Sequence, residues 1–171
     1  MRFLLPILSA AALSLYGSMA RAVANHVVTL EDVQTMDQTE LNQLYLHAEP
    51  GDMPDGESHG KAVFFAGSIF AEPATLFASL IWQGKIFDRD NGVLVNRVFG
   101  FPAIKAELSY GPSLLDGEES IIIDYASTSV LAHPVRDEIR YLGNGLYLGR
   151  AYARTLFGPV MVVNFALQFP E

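Results

Sequence analysis

The chain has no cysteine in its 171 residues. Disulfides, thiol nucleophiles, thiolate metal sites and a lipid anchor on an N-terminal cysteine are therefore excluded. Histidine is sparse. His26, His47, His59 and His133 each stand alone, without the short spacings that zinc sites use, so no metal or other cofactor is expected. Positive charge is also scarce, with 11 Lys and Arg against 19 Asp and Glu, a net −8. That balance repels phosphate backbones, so nucleic acid is not an expected partner. Charged residues make up 18% of the chain and hydrophobic residues 50%. A disordered chain is excluded, and one domain with a sizeable core is expected. Residues 25–171 hold no phosphate-cradling loop.

Residues 1–24 read as an address. Arg2 precedes an apolar run over residues 3–15, which is short for a bilayer span, and small residues then bracket Ala20-Arg21-Ala22 and Ala22-Val23-Ala24. The pattern predicts a signal peptide cleaved after Ala24 and a periplasmic or secreted domain over residues 25–171. No stable membrane insertion is expected after cleavage.

Residues 29–48 carry the best helical signal. Thr29 with Asp32, and Asp37 with Glu40, have capping-box spacing, and Leu41, Leu44 and Tyr45 recur on one helix face. A short helix, a break near Asp37 and a firmer helix over 38–47 are expected, acting as a lid on a sheet. Residues 50–60, rich in Gly and Pro, read as successive turns without regular structure. Residues 72–80 have helical character. Strands are expected over 61–65, 82–88, 93–99, 103–110, 119–125, 135–141, 146–154 and 160–169. Short turns join most of them, as at Asp90-Asn91-Gly92 and Gly143-Asn144-Gly145. In the last run Met161, Val163, Phe165, Leu167 and Phe169 share one face, the period of a half-buried strand. The fold class is mainly β: an antiparallel barrel of about eight strands, lipocalin- or calycin-like, with an N-terminal helical lid.

Residues 121–154 embed charges within apolar strands. Strand parity puts Ile121, Ile123 and Tyr125 on one face and Ile122 and Asp124 on the other. In the next strand Arg136, Glu138 and Arg140 share a face that reads as solvated. Asp137 shares the apolar face with Val135, Ile139 and Tyr141, which makes it a candidate interior carboxylate in need of Arg, Tyr or backbone donors, an inward Arg150 or Arg154 being one option. Lys85 and Asp88 point to opposite faces of their strand, so one of them turns inward; for Lys85 a rim or solvent position is the main expectation. Tyr147, Gly149, Ala151 and Ala153 form a small-residue face. Its space is taken either by a ligand or by a large neighbour such as Phe165, the latter being the more common outcome.

Trp82-Gln83-Gly84-Lys85-Ile86-Phe87 resembles the W-x-G-K-x-F core of small uncharacterised bacterial proteins named for a GXWXG motif. Asp124-Tyr125, Asp137-Glu138-Ile139-Arg140 and Leu148-Gly149 are similar to that family's second conserved stretch. Two features depart from it: Leu80 stands where the motif has Gly, and Asp124-Tyr125 reverses its Tyr-Asp order. The resemblance spans residues 82–154 and implies a fold rather than an activity; the lipocalin G-x-W signature is an analogy of architecture only.

The expected function is non-covalent binding of a small hydrophobic or amphipathic molecule, such as a lipid, within the barrel. Trp82, Lys85, Tyr125, Asp137, Arg140 and Tyr147 are the candidate ligand contacts, and no catalytic residue is assigned. One alternative is a cofactor-free enzyme for a small organic substrate, with Asp124 or Asp137 as general base. Another is an envelope structural protein with a filled barrel.

Overall fold

The computed structural model describes residues 27–63, 82–98, 101–130 and 132–170. The expected signal peptide and the helix expected over residues 72–80 lie outside these residues. Two helices lead in, α1 (Leu30–Thr35) and α2 (Gln38–His47). Both begin with the capping boxes read from the sequence, Thr29 with Asp32 and Asp37 with Glu40, which satisfy the first free amides of each helix.

Nine strands follow: β1 (Gly56–Glu57), β2 (His59–Val63), β3 (Trp82–Asp88), β4 (Val93–Val98), β5 (Phe101–Pro112), β6 (Glu119–Asp124), β7 (Val135–Gly143), β8 (Leu146–Thr155) and β9 (Gly158–Gln168). All pairings are antiparallel, and β3 to β9 form an uninterrupted meander. The two ends are brought together by the shortest strands, since β1 pairs with β3 and β2 with β9. The result is a nearly closed barrel. Residues 50–60, expected to hold turns only, therefore include β1 and the start of β2. The backbone of Gly- and polar-rich segments still carries donors and acceptors, and here they close a sheet edge.

Ser58 lies between the two closing strands and is buried. Its amide and hydroxyl both donate to the Lys85 carbonyl at 2.9 Å, and its Oγ accepts from the Lys85 amide at 3.2 Å. Gly84 makes this crossing feasible. Its φ is +130°, and any Cβ there would overlap the Ser58 carbonyl. The register of β3 on β4 shifts at the same place, between Trp82 and Gly84.

Two apolar clusters lie on opposite sides of the wall. The interior one joins Phe87, Leu94, Ala106, Ile121, Ile123, Tyr125, Ile139, Phe165 and Leu167, which come from six strands and the residue after β6. The second joins Val33, Leu41 and Tyr45 of the helices to Val63, Leu146, Leu148 and Ala166. The helices therefore cover the outside of the β2–β9–β8 wall. This corrects the solvated face expected for β7: Glu138 is 0% exposed and Arg140 1%. Strand parity assigns a side, but a helix packed from elsewhere in the chain decides whether that side meets water. The alternation of β9 holds from Val163 to Leu167. A register shift then sets Met161 opposite Tyr152, off the face that it was expected to share.

Candidate functional site

β3 and β4 present Lys85 and Asn96 side by side, since the two are register partners. β6 leads inward to Tyr125, and β7 contributes Asp137, paired with Ile123 two residues before that tyrosine. The four side chains converge in the lumen. Lys85 Nζ donates to Asp137 Oδ2 at 2.8 Å, to Asn96 Oδ1 at 2.8 Å and to Tyr125 Oη at 2.6 Å. Tyr125 Oη donates onward to Asp137 Oδ2 at 3.0 Å and accepts from Asn96 Nδ2 at 2.9 Å. Lys85 is 3% exposed and Asp137 4%, with Tyr125 and Asn96 equally buried.

An ammonium has three donors, and here each meets an oxygen. The rings of Tyr125 and Phe165 also lie 5.4 and 5.3 Å from Nζ, within cation–π range. Burial pushes the Tyr125 phenol well above its ordinary range, and the Asp137 carboxylate beside it adds to the rise. Tyr125 is thus a hydrogen-bonding group, poorly suited to give up its proton near neutral pH.

The structure joins three of the expected contacts, Lys85, Tyr125 and Asp137, and separates the others. The solvent or rim position favoured for Lys85 is corrected, while Asp88 is the exposed partner and accepts from Asn91 in the turn. The partners of Asp137 are Lys85 and Tyr125, a tyrosine having been one of the expected donors, rather than Arg150 or Arg154. Arg150 points outward, to Asn42 and Tyr152, and Arg154 binds Asp124 at 2.6 Å. Asp124 and Asp137 therefore face opposite sides of the wall and cannot serve one cavity as a carboxylate pair. Tyr147 is inside but distant from the cluster. It sits four residues along β8 from Ala151, the register partner of Asp137, roughly 13 Å of strand. There its phenol donates to the Asp52 carbonyl at 2.8 Å, and its ring packs on Tyr141 and Phe169. Burial raises its phenol to about 12.

Arg140 is not in the lumen. It forms a fork on Asp116, with Nη1 and Nη2 at 2.8 and 2.9 Å from the carboxylate oxygens, and Nη1 also donates to the Tyr45 carbonyl of α2 at 3.0 Å. Its Nε is shared between Ser120 Oγ and the Glu119 carbonyl. The side chain of Trp82 lies outside the described residues. Asn96 was missed. Its signal was present, because it shares a strand face with Leu94, and an amide on an apolar face needs partners.

Gly149 leaves no space beside the cluster. A Cβ there would overlap the Phe165 ring, so the small-residue face is filled, at this position, by the neighbour expected as one of the two outcomes.

Among the described residues, fold and site together define a small antiparallel barrel with a polar layer set within an apolar interior. No protein-family model matches the chain, and no curated protein matches it. Among solved structures, the chain is similar to the crystal structure of a protein from Thermomonospora curvata, at 15% identity and a TM-score of 0.55. That similarity covers 92% of this chain and 99% of the other, and it is a likeness of fold.

Proposed function

We propose that this protein binds a small, largely apolar molecule in the barrel, with the polar end of the molecule meeting Lys85, Asn96, Tyr125 and Asp137. The observation that carries this reading is the buried Lys85–Asp137 pair, set among apolar side chains. A buried ion pair gains little stability over apolar residues of the same volume, so a polar layer in a lumen is better explained by recognition than by folding. The two charges cancel, which suits an uncharged end group, such as an alcohol or ketone, better than a carboxylate. Export from the cytoplasm and a place among the GXWXG-type proteins belong to the same proposal.

A filled barrel without a ligand is the second reading, and Phe165 against Gly149 favours it. Trp82 is the chain's one tryptophan, so its fluorescence is a single-site readout. Titration with a long-chain alcohol is expected to give a saturable change in emission, larger than that with the fatty acid of equal length. No saturable change with either, or with other apolar probes, supports the filled barrel.

A further inference from the structure

The outer face of the wall holds a second concentration of polar groups that the lumen site does not use. A cleft of about 290 Å³ opens there, bounded by Leu114, Arg136, Tyr152, Arg154, Thr155 and Pro159. Arg136 and Tyr152 are register partners on β7 and β8, and Arg154 lies two residues further along β8, so three polar side chains line one edge.

Unused donors distinguish this cleft. Arg136 spends Nη2 on the Pro112 carbonyl and on Glu138 Oε1, 3.0 Å away in the latter case. Its Nε is buried without a hydrogen-bond partner, a condition that folded proteins rarely leave uncorrected. Tyr152 Oη accepts from Arg150 Nε at 3.1 Å, and its own hydrogen has no acceptor among the described residues. Arg154 uses Nη1 and Nη2 on the carbonyls of His133 and Val135 and on Asp124, but not Nε.

Charge leads to the same conclusion. Among the described residues, Arg136 is paired with Glu138 and Arg154 with Asp124. Arg150 is buried between the rings of Tyr45 and Tyr152, and its hydrogen bonds go to Asn42 and Tyr152 rather than to a carboxylate. Three arginines thus meet two carboxylates, and the positive charge left over is that of Arg150, which lies behind Tyr152 rather than in the lining of the cleft. Surplus donors and one surplus positive charge call for a single acceptor-rich anion.

We infer that this cleft binds a small carboxylate monoanion, its oxygens facing Arg136, Tyr152 and Arg154 and its apolar body against Leu114 and Pro159. A dianion such as phosphate would exceed the local positive charge. The site lies on the opposite side of the wall from the lumen, so the two can be tested separately.

The test is an NMR titration of the folded domain with benzoate at fixed ionic strength, following the arginine Nε–H and tyrosine ring signals. Inorganic phosphate and uncharged methyl benzoate are run beside it. Saturable shifts are expected with benzoate, weaker ones with phosphate and none with methyl benzoate. Arg136→Gln is expected to weaken benzoate binding by about tenfold or more, the value of a charge-assisted hydrogen bond. Arg154→Gln provides the same reading if loss of the Glu138 contact unfolds the first variant. Absence of saturable shifts with benzoate overturns the inference, as does unchanged affinity in the folded variants. Tighter binding of phosphate than of benzoate overturns the ligand class.

Discussion

Two buried ionic groups lie back to back across the same strands, and they are built differently. In the lumen, the Lys85 ammonium donates to three side chains, those of Asp137, Asn96 and Tyr125. On the outer face, Arg140 is held by a carboxylate fork, a hydroxyl and two backbone carbonyls, one of them from α2. The outer group fastens a helix to a wall, and two of its partners cannot be mutated away because they are main chain. The inner group can be removed as a set. The difference separates a structural clasp from a candidate binding site.

The largest effect is expected at the clasp. Arg140→Met leaves Asp116 without its guanidinium partner and takes one donor each from the Ser120 hydroxyl and the carbonyls of Tyr45 and Glu119. It should cost about 3–5 kcal/mol in urea unfolding. Removing Asp116 as well should restore little, because the Ser120 hydroxyl and the Tyr45 and Glu119 carbonyls still lack the guanidinium donors.

In the lumen Lys85→Met should cost about 3 kcal/mol, since it strands a buried carboxylate. Here the double variant K85M/D137L is expected to return to within about 1 kcal/mol of the original stability, because an apolar pair of similar volume replaces the ion pair. A double variant as unstable as the single one would make the lumen cluster a second clasp, and the comparison would collapse.

Gly149→Ala measures how firmly Phe165 fills the lumen. The new methyl must displace the ring, at about 1–3 kcal/mol, and adding Phe165→Leu should recover part of that loss in thermal unfolding.

The smallest effect is at the half-exposed Asp124. Burial by itself would raise its carboxyl, but the Ala126 amide and the Arg154 guanidinium outweigh it and hold the group below its ordinary range. A lowered native value contributes stability above the unfolded carboxylate range, and that contribution is lost as pH falls through the native value. Asp124→Asn should therefore cost under about 1 kcal/mol near neutrality and flatten the acid side of the stability profile.

These contrasts also explain what could be read from sequence. Parity placed Asp137 and Tyr125 on the apolar face, because a period of two is local and survives folding. It also placed Arg140 on the opposite side. Whether that side is wet depends on α2, which lies about a hundred residues earlier in the chain, and no local pattern carries that information. Lys85 was harder because Gly84 and a register shift interrupt β3 just before it. Gly84 itself was visible only as one glycine of the motif. Its reason is the Ser58 backbone crossing above it, a contact that exists only once the barrel closes. The short β1 was hidden because two residues among turns have no period to detect.

The central claim is that the lumen cluster holds a ligand and the outer clasp does not. Native mass spectrometry of the protein purified from its own host, beside K85M/D137L, tests it most directly. The predicted result is a bound small apolar molecule on the original chain and none on the folded double variant. A ligand-free original chain, or an adduct kept by the double variant, would contradict it.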